Sequence, residues 1–426
     1  MTAKPSKPMG FWRCWSFSAG VMIGSGVFLL PAVLASYGSV SFLGWLLSSI
    51  GAIFVALTLA RLAGRTERTG GMLVYAHDAF GDLAGFIIGW SYWAGIVFAI
   101  AAIAVAFAGY AGVLFPALQN NMIAQGAVAT ALVWIVALVN LRGVGTAAVV
   151  QLVMTIVKIL PLLIIMALAL FKGSAANVPP FNPKEMPIGE ALAATSLLTM
   201  WAFLGIECGV IPAGEVVDAK RTIPRAVIFA SLSVAALYIG ATLAVMLLVP
   251  ASELAGSEAP FSAAAAGLGP IGAPMIALGA LVSAAGSANG NLFAGGQTAM
   301  AVAEDGLAPR ALTHRNKGHA PYVALVVSTL LTNALLVLNY SKGLVGAFIF
   351  LISMSTLATL LPYAVSALAD LKFSLKSARG WAVISLVTLA FSIVAMAGAG
   401  LATLAWGLIL IVAGLPVFYA TKLSKR

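Results

Sequence analysis

Apolar runs of about twenty residues recur along the whole of this chain, and nothing constrains its fold more than that. A run of this length crosses the hydrocarbon of a bilayer as an α-helix. There every backbone amide and carbonyl must be paired within the protein. Twelve such runs can be read, at about 11–37, 42–62, 83–113, 124–140, 146–170, 191–217, 223–248, 273–302, 321–338, 343–369, 381–399 and 400–420. They are rich in Leu, Ile, Val and Ala and too long for strands. The alternating segments of about ten residues that build an outer-membrane barrel are not seen. Composition agrees: the 426 residues are 62% hydrophobic and 8% charged, against about 25% charged in a soluble protein. No small-residue cleavage site follows the first run, so it reads as the first span and not as a removable signal peptide.

The net charge of +10 would suit nucleic acid, but its placement argues otherwise. Lys172, Lys184 and Lys342 fall in loops on one side and Lys158 lies inside a span. All the others of the 23 Lys and Arg fall at the N-terminus, in the even-numbered loops or in the C-terminal tail. This is the positive-inside pattern. It predicts a multi-pass membrane protein with an even number of spans and both termini in the cytoplasm, with no nucleic-acid partner. Cys14 and Cys208 lie in or near spans and have neither disulfide nor metal spacing. His77, His314 and His319 read as solvated loop or span-edge residues, and Asp370 as a span-end charge. The segment GSGVFLL lacks the lysine and the strand–helix context of a phosphate-binding loop. No cofactor or metal is expected.

Two of the runs are interrupted. Span 1 carries Gly24-Ser25-Gly26 halfway along 20-GVMIGSGVFLLPAVLA-35. Glycine costs a helix about 1 kcal/mol relative to alanine, and backbone unwound at membrane depth is tolerated only where it is buried in protein or lines a cavity. Span 6, in 199-TMWAFLGIECGVIPAGEVV-217, is interrupted by Gly205 and Gly209 around Glu207. The two breaks lie five spans apart. Five is odd, so the two units face opposite ways, as in the inverted repeats of secondary transporters. The units would be about 11–171 and 191–370, with 371–426 supplying two further helices and a tail. Amides that begin a second half suit a carboxylate, here those of Ser25, Gly26 and Val27. Carbonyls that end a first half suit an ammonium, here those of Trp201, Ala202 and Leu204. Together they fit an α-amino acid. The alternative is that the glycines serve only close helix packing.

Five stretches carry a family likeness: 22-MIGSGVFLLPAVLA-35, 70-GGMLVYAHDAFG-81, 199-TMWAFLGIE-207, 215-EVVDAKRTIPRA-226 and 296-GQTAMAVAEDGLAP-309. The chain resembles the amino acid–polyamine–organocation transporters over nearly its whole length, and within them the bacterial basic amino acid/polyamine antiporters of the arginine/agmatine kind. The resemblance implies an all-α polytopic protein of twelve transmembrane helices with the leucine-transporter fold, a 5+5 inverted repeat with helices 1 and 6 broken and helices 11 and 12 appended. It also implies alternating access.

By the same resemblance, Ser25 and Gly26 match the carboxylate-binding turn and Trp201 the aromatic lid over the substrate. Tyr92, Glu207 and Tyr363 match the inner gate, and Ser355 a polar pocket position. Met22, Gly24, Gly95, Ile96, Ala202 and Leu204 complete the candidate substrate-binding set. There are departures. Asn291 stands where those antiporters have a tryptophan that stacks on the guanidinium, Ile100 where they have an asparagine, and Ile103 where they have a methionine. Loss of the stacking face removes a cation–π contact of about 0.5–2 kcal/mol, which favours a neutral side chain, while a basic one stays open through other acceptors, including Asn291 or Ser355.

Lys158 stands alone in an apolar span, where a charge costs about 2.5–3.5 kcal/mol at the bilayer centre. It must face protein or water, or else snorkel to an interface. Sodium-independent neutral amino acid carriers of this superfamily place a lysine on span 5, in the region where sodium-coupled relatives bind the ion. The resemblance therefore implies a fixed cation that braces span 1 against span 8, with a proton-coupling role also open. Glu207 reads either as a structural acceptor for nearby backbone or as a gating, proton-sensing carboxyl.

The expectation is a secondary amino acid transporter, a sodium-independent amino acid/amine antiporter. The alternatives are a proton-coupled neutral amino acid permease and, more remotely, a membrane-embedded enzyme or a channel. The expected partners are an amino acid or amine and the lipid bilayer. Some members of the superfamily are dimers, so a homodimer is an open arrangement.

Overall fold

The structure, a computed structural model, describes residues 8–28, 30–118, 121–255, 257, 260–340, 343–398 and 401–423, and for residues 25, 26, 113, 339, 340, 343–349, 376, 377, 398 and 402 the backbone alone. Lys4, Lys7, Lys342, Lys425 and Arg426, which enter the charge pattern, lie outside the described residues.

Among the described residues sixteen α-helices succeed one another: α1 (Phe11–Met22), α2 (Leu30–Ala35), α3 (Ser41–Ala63), α4 (Met72–Phe80), α5 (Asp82–Leu114), α6 (Met122–Leu141), α7 (Val144–Lys172), α8 (Ile188–Trp201), α9 (Ala219–Leu248), α10 (Ala251–Leu254), α11 (Pro260–Ala264), α12 (Gly272–Glu304), α13 (Tyr322–Tyr340), α14 (Gly343–Ser377), α15 (Trp381–Gly398) and α16 (Leu401–Leu423). The described residues form no sheet, only an isolated parallel bridge between Met9 and Val216. Nine helical stretches among the described residues are long and apolar enough to cross a membrane, and the apolar stretches Tyr322–Leu338 and Trp381–Ala397 are shorter.

The first expected span is indeed discontinuous. α1 ends at Met22, Ile23 leaves helical geometry at φ −72°, ψ 78°, and a 3-10 turn over Ser25–Phe28 leads into α2. The sixth span differs from expectation. Its first half is α8, but no second α-helix resumes. Gly205 takes φ +115°, a left-handed conformation open to glycine at little cost. The chain then continues through 3-10 turns at Ile206–Gly209 and Ala213–Glu215. Gly205, Gly209 and Pro212 all fall within eight residues of this stretch, and glycine and proline both penalise a regular helix there.

α1 lies at the centre of the molecule, against α7, α9, α12 and the turn at 206–209. Small residues permit the approach. A Cβ on Gly20 would stand 2.2 Å from Thr155 Oγ1, and one on Gly209 would stand 2.3 Å from Ser18 Oγ. α12 packs along α5, α5 along α14, and α3 against α8 and α9. Asp370, expected as a span-end charge, is fully buried instead. It accepts from Ser385 Oγ at 2.7 Å, with Arg61 Nε at 3.6 Å, so a charge on α3 faces one on α14. His77 lies in the last turn of α4, 3.2 Å from Asp78 and 3.1 Å from Asp82.

Candidate functional site

The two interrupted spans are tied directly to each other. Ser18 Oγ donates to Ile206 O at 2.7 Å, and Cys14 Sγ donates to Gly209 O at 3.3 Å. Each break leaves carbonyls without a helical partner, and such groups must be satisfied in a buried setting. At the end of α1 that task falls to three side chains of other helices and to Lys158.

Lys158, fully buried on α7, donates through Nζ to Gly20 O and to Ile23 O, the latter at 2.7 Å, with Ser283 O at 3.5 Å. Ser283 Oγ donates to Ile23 O at 2.8 Å. Ser287 Oγ lies 3.2 Å from Val21 O and 3.3 Å from both Gly20 O and Ile23 O. Tyr238 Oη donates to Met22 O at 2.6 Å, with Ala202 O at 3.3 Å, and so stands between the ends of both first halves. Lys158 thus does not snorkel: its ammonium caps a helix C-terminus, where positive charge is favoured.

Above this cap lies a narrow cavity of about 100 Å³. From the first break it takes Val21, Met22, Gly24 and Val27, and from the second Trp201, Ala202, Leu204, Gly205 and Glu207. α5 contributes Ala99, Ala102 and Ile103, α12 contributes Ser287 and Asn291, and α14 contributes Ile352, Ser355 and Thr359. The wall is mostly apolar. Asn291 Nδ2 donates back to Ser287 O at 2.9 Å, which leaves its oxygen as an acceptor.

Glu207 is the one ionisable side chain among the described lining residues, and its oxygens are already engaged. Tyr92 Oη donates to Oε1 at 3.2 Å, Gly205 N donates to Oε2 at 3.1 Å, and Tyr363 Oη also donates to Oε2. Tyr92 is on α5 and Tyr363 on α14, so three separate elements meet at this carboxyl. Beyond it the chain reaches Glu215, where Met9 N donates to Glu215 O at 3.2 Å and Val217 N to Met9 O at 2.8 Å. Arg315 pairs with Glu215 at 2.8 Å and Glu304 at 3.2 Å. Arg68 pairs with Asp305 at 2.5 Å and Asp78 at 3.0 Å. These pairs tie the chain beyond the second break to the loops that hold Arg68 and Arg315.

The amino acid permease family pattern matches residues 9–381. The chain belongs to that family. This permease is 30% identical to the cadaverine/lysine antiporter of Escherichia coli (strain K12) over 436 aligned residues, covering 99% of this chain and 96% of that protein. It is 27% identical to the putrescine transporter PotE of the same strain over 369 residues, covering 86% and 84%. It is a multi-pass membrane protein of a transporter family, not an enzyme family.

Of the residues singled out in the sequence, Met22, Gly24, Ile103, Trp201, Ala202, Leu204, Glu207, Asn291 and Ser355 line one cavity of the permease. Gly95, Ile96 and Ile100 do not. Ile96 and Ile100 are buried, and a Cβ on Gly95 would stand 2.8 Å from Ala358 Cβ, so that glycine serves the contact of α5 with α14. Of the carbonyls expected to hold an ammonium, Trp201 O accepts from Leu204 N at 3.2 Å and Ala202 O lies beside the Tyr238 hydroxyl. Ser283, Ser287 and Tyr238 were not anticipated, although two serines one turn apart in an apolar span are a visible signal.

Proposed function

We propose that this permease is a sodium-independent amino acid/amine antiporter working by alternating access. It would sit in a bacterial inner membrane with both termini cytoplasmic. Its fold would be that of the leucine transporter, with twelve transmembrane helices, inverted repeats at about 11–171 and 191–370, and a final helix pair in 371–426. The amides of Ser25, Gly26 and Val27 would hold a carboxylate, and carbonyls at the second break an ammonium. Trp201 would cover the substrate, and Tyr92, Glu207 and Tyr363 would form the inner gate, on the side that carries the ion pairs of Arg68 and Arg315. Lys158 would act as a fixed cation in place of a coupling ion.

One observation bears on the side chain of the substrate, the lack of any unengaged acid among the described cavity residues. A second ammonium or a guanidinium would have to compete for Glu207 with the two tyrosine hydroxyls and the amide that already occupy its oxygens, and burying an imperfectly paired charge is costly. Ile103 and Ile352 instead offer apolar surface. This supports a neutral side chain, with amines that lack a carboxylate binding poorly. A second reading, a basic substrate as in the cadaverine/lysine antiporter and the putrescine transporter, is favoured by those likenesses and would place the distal cation on Asn291 or Ser355. A proton-coupled neutral amino acid permease would use the same cavity without exchange.

Efflux from proteoliposomes loaded with labelled alanine tests the transport mode. An antiporter releases label only when an external amino acid is added. Equal release into buffer alone would exclude exchange and favour a proton-coupled permease.

A further inference from the structure

A second hollow lies on the outside of the helix bundle, between α7 and α12. Val157, Leu160, Pro161 and Ile164 form one wall, and Ile271 and Leu278 belong to the other. It holds about 530 Å³, and none of its described lining residues is charged. Leu278 is 55% and Ile271 70% exposed. The groove is cut by proline and glycine. Pro161 lies within α7, and Gly279 lets α12 pass so close that a Cβ there would stand 2.7 Å from Pro161 Cγ.

In a membrane protein such a face meets hydrocarbon. What marks this one is a cation two turns beyond its α7 wall. Lys172 ends α7, and its exposed ammonium donates to Gly267 O at 2.9 Å. Gly267 belongs to the 3-10 stretch Ala265–Ile271, whose last two residues, Pro270 and Ile271, line the groove. That bond uses one of three N–H donors and leaves two turned to other partners. Ile164 lies eight residues before Lys172 on the same helix, about 12 Å at 1.5 Å per residue. A leaflet of the hydrocarbon core is about 15 Å deep. A phosphate held at Lys172 would therefore drop its acyl chain to the level of the groove.

We propose that the groove between α7 and α12 holds one acyl chain of an anionic phospholipid whose phosphate rests on Lys172. The same two helices carry Lys158, three residues before Pro161, and Ser283, four residues after Gly279. The lipid thus borders the pair of helices that holds the end of α1.

Native mass spectrometry of the purified full-length protein, with phosphatidylglycerol or phosphatidylethanolamine added at equal concentration, tests this. The parent should retain a phosphatidylglycerol molecule through detergent removal in preference to phosphatidylethanolamine. Lys172→Gln should lower that preference by about fivefold, the worth of one basic residue near an anionic lipid surface. Leu278→Trp should displace the retained lipid, whereas Leu408→Trp on the exposed face of α16 should not. Equal retention of both lipids by the parent would overturn the proposal, as would a lipid count unchanged in both Lys172→Gln and Leu278→Trp.

Discussion

Replacing Lys158 by methionine keeps most of the side-chain volume and removes the ammonium. The structure sets the size of the loss. Nζ donates to Gly20 O and to Ile23 O, and hydrogen bonds to a charged group contribute about 1.5–3 kcal/mol each. The hydroxyls of Ser283 and Ser287 still reach the same carbonyls, so the lower figure applies to each bond. The sum is about 3 kcal/mol, close to a hundredfold in an equilibrium constant. Gly24 comes directly after Ile23 and lines the cavity. Undocking the end of α1 therefore depopulates the binding-competent arrangement, and apparent affinity falls with that population. Equilibrium binding of labelled alanine to purified Lys158→Met measures the effect, with size-exclusion behaviour as the check on folding. A folded variant whose affinity stays within about threefold of the parent, less than 1 kcal/mol, would refute the claim that this ammonium holds the break in place.

Other perturbations read out other parts. Glu207→Gln loses an acceptor for the hydroxyls of Tyr92 and Tyr363, so exchange in proteoliposomes should fall by more than about tenfold, one bond to a charged group; unchanged exchange would remove Glu207 from the gate. Gly26→Val adds a β-branched side chain at the turn after the first break and should weaken binding at least about tenfold, while normal affinity would separate that turn from the substrate. A sodium gradient should leave uptake by the parent unchanged, and a steep rise with sodium would contradict a fixed cation at Lys158. Gly44→Leu would drive a side chain into Thr195, whose Oγ1 lies 2.4 Å from where a Cβ would stand; overpacking of this kind costs about 1–3 kcal/mol, so thermal unfolding in detergent should occur at lower temperature, and an unshifted midpoint would count against tight packing of α3 on α8.

The break in the first span was legible because Gly24 and Gly26 weaken the helix twice within three residues, where a single glycine would read as a packing contact. The path of the chain beyond the second break was not. Gly205 and Gly209 announce an interruption, but whether a helix resumes depends on how Ser18 and Cys14 of α1 hold the carbonyls of residues 206 and 209. Those contacts join residues nearly two hundred positions apart. The capping of α1 was half visible. A lone lysine in a span demands a partner, whereas the contributions of Ser283, Ser287 and Tyr238 depend on the rotation of α9 and α12 about their axes. Both helices have apolar residues on every side, so periodicity does not fix that rotation. The same limit explains Gly95, Ile96 and Ile100, which share α5 with Ile103 but not its exposure to the cavity.

The most direct test of the proposed substrate class is competition. Uptake of labelled alanine into proteoliposomes carrying the purified permease would be measured with unlabelled leucine, arginine and agmatine outside at equal concentration. A cavity whose described residues include no unengaged acid predicts strong inhibition by leucine, weaker inhibition by arginine and little by agmatine. If arginine and agmatine inhibit and leucine does not, or if alanine is not transported while arginine is, the pocket accepts a distal cation and the neutral-substrate account is wrong.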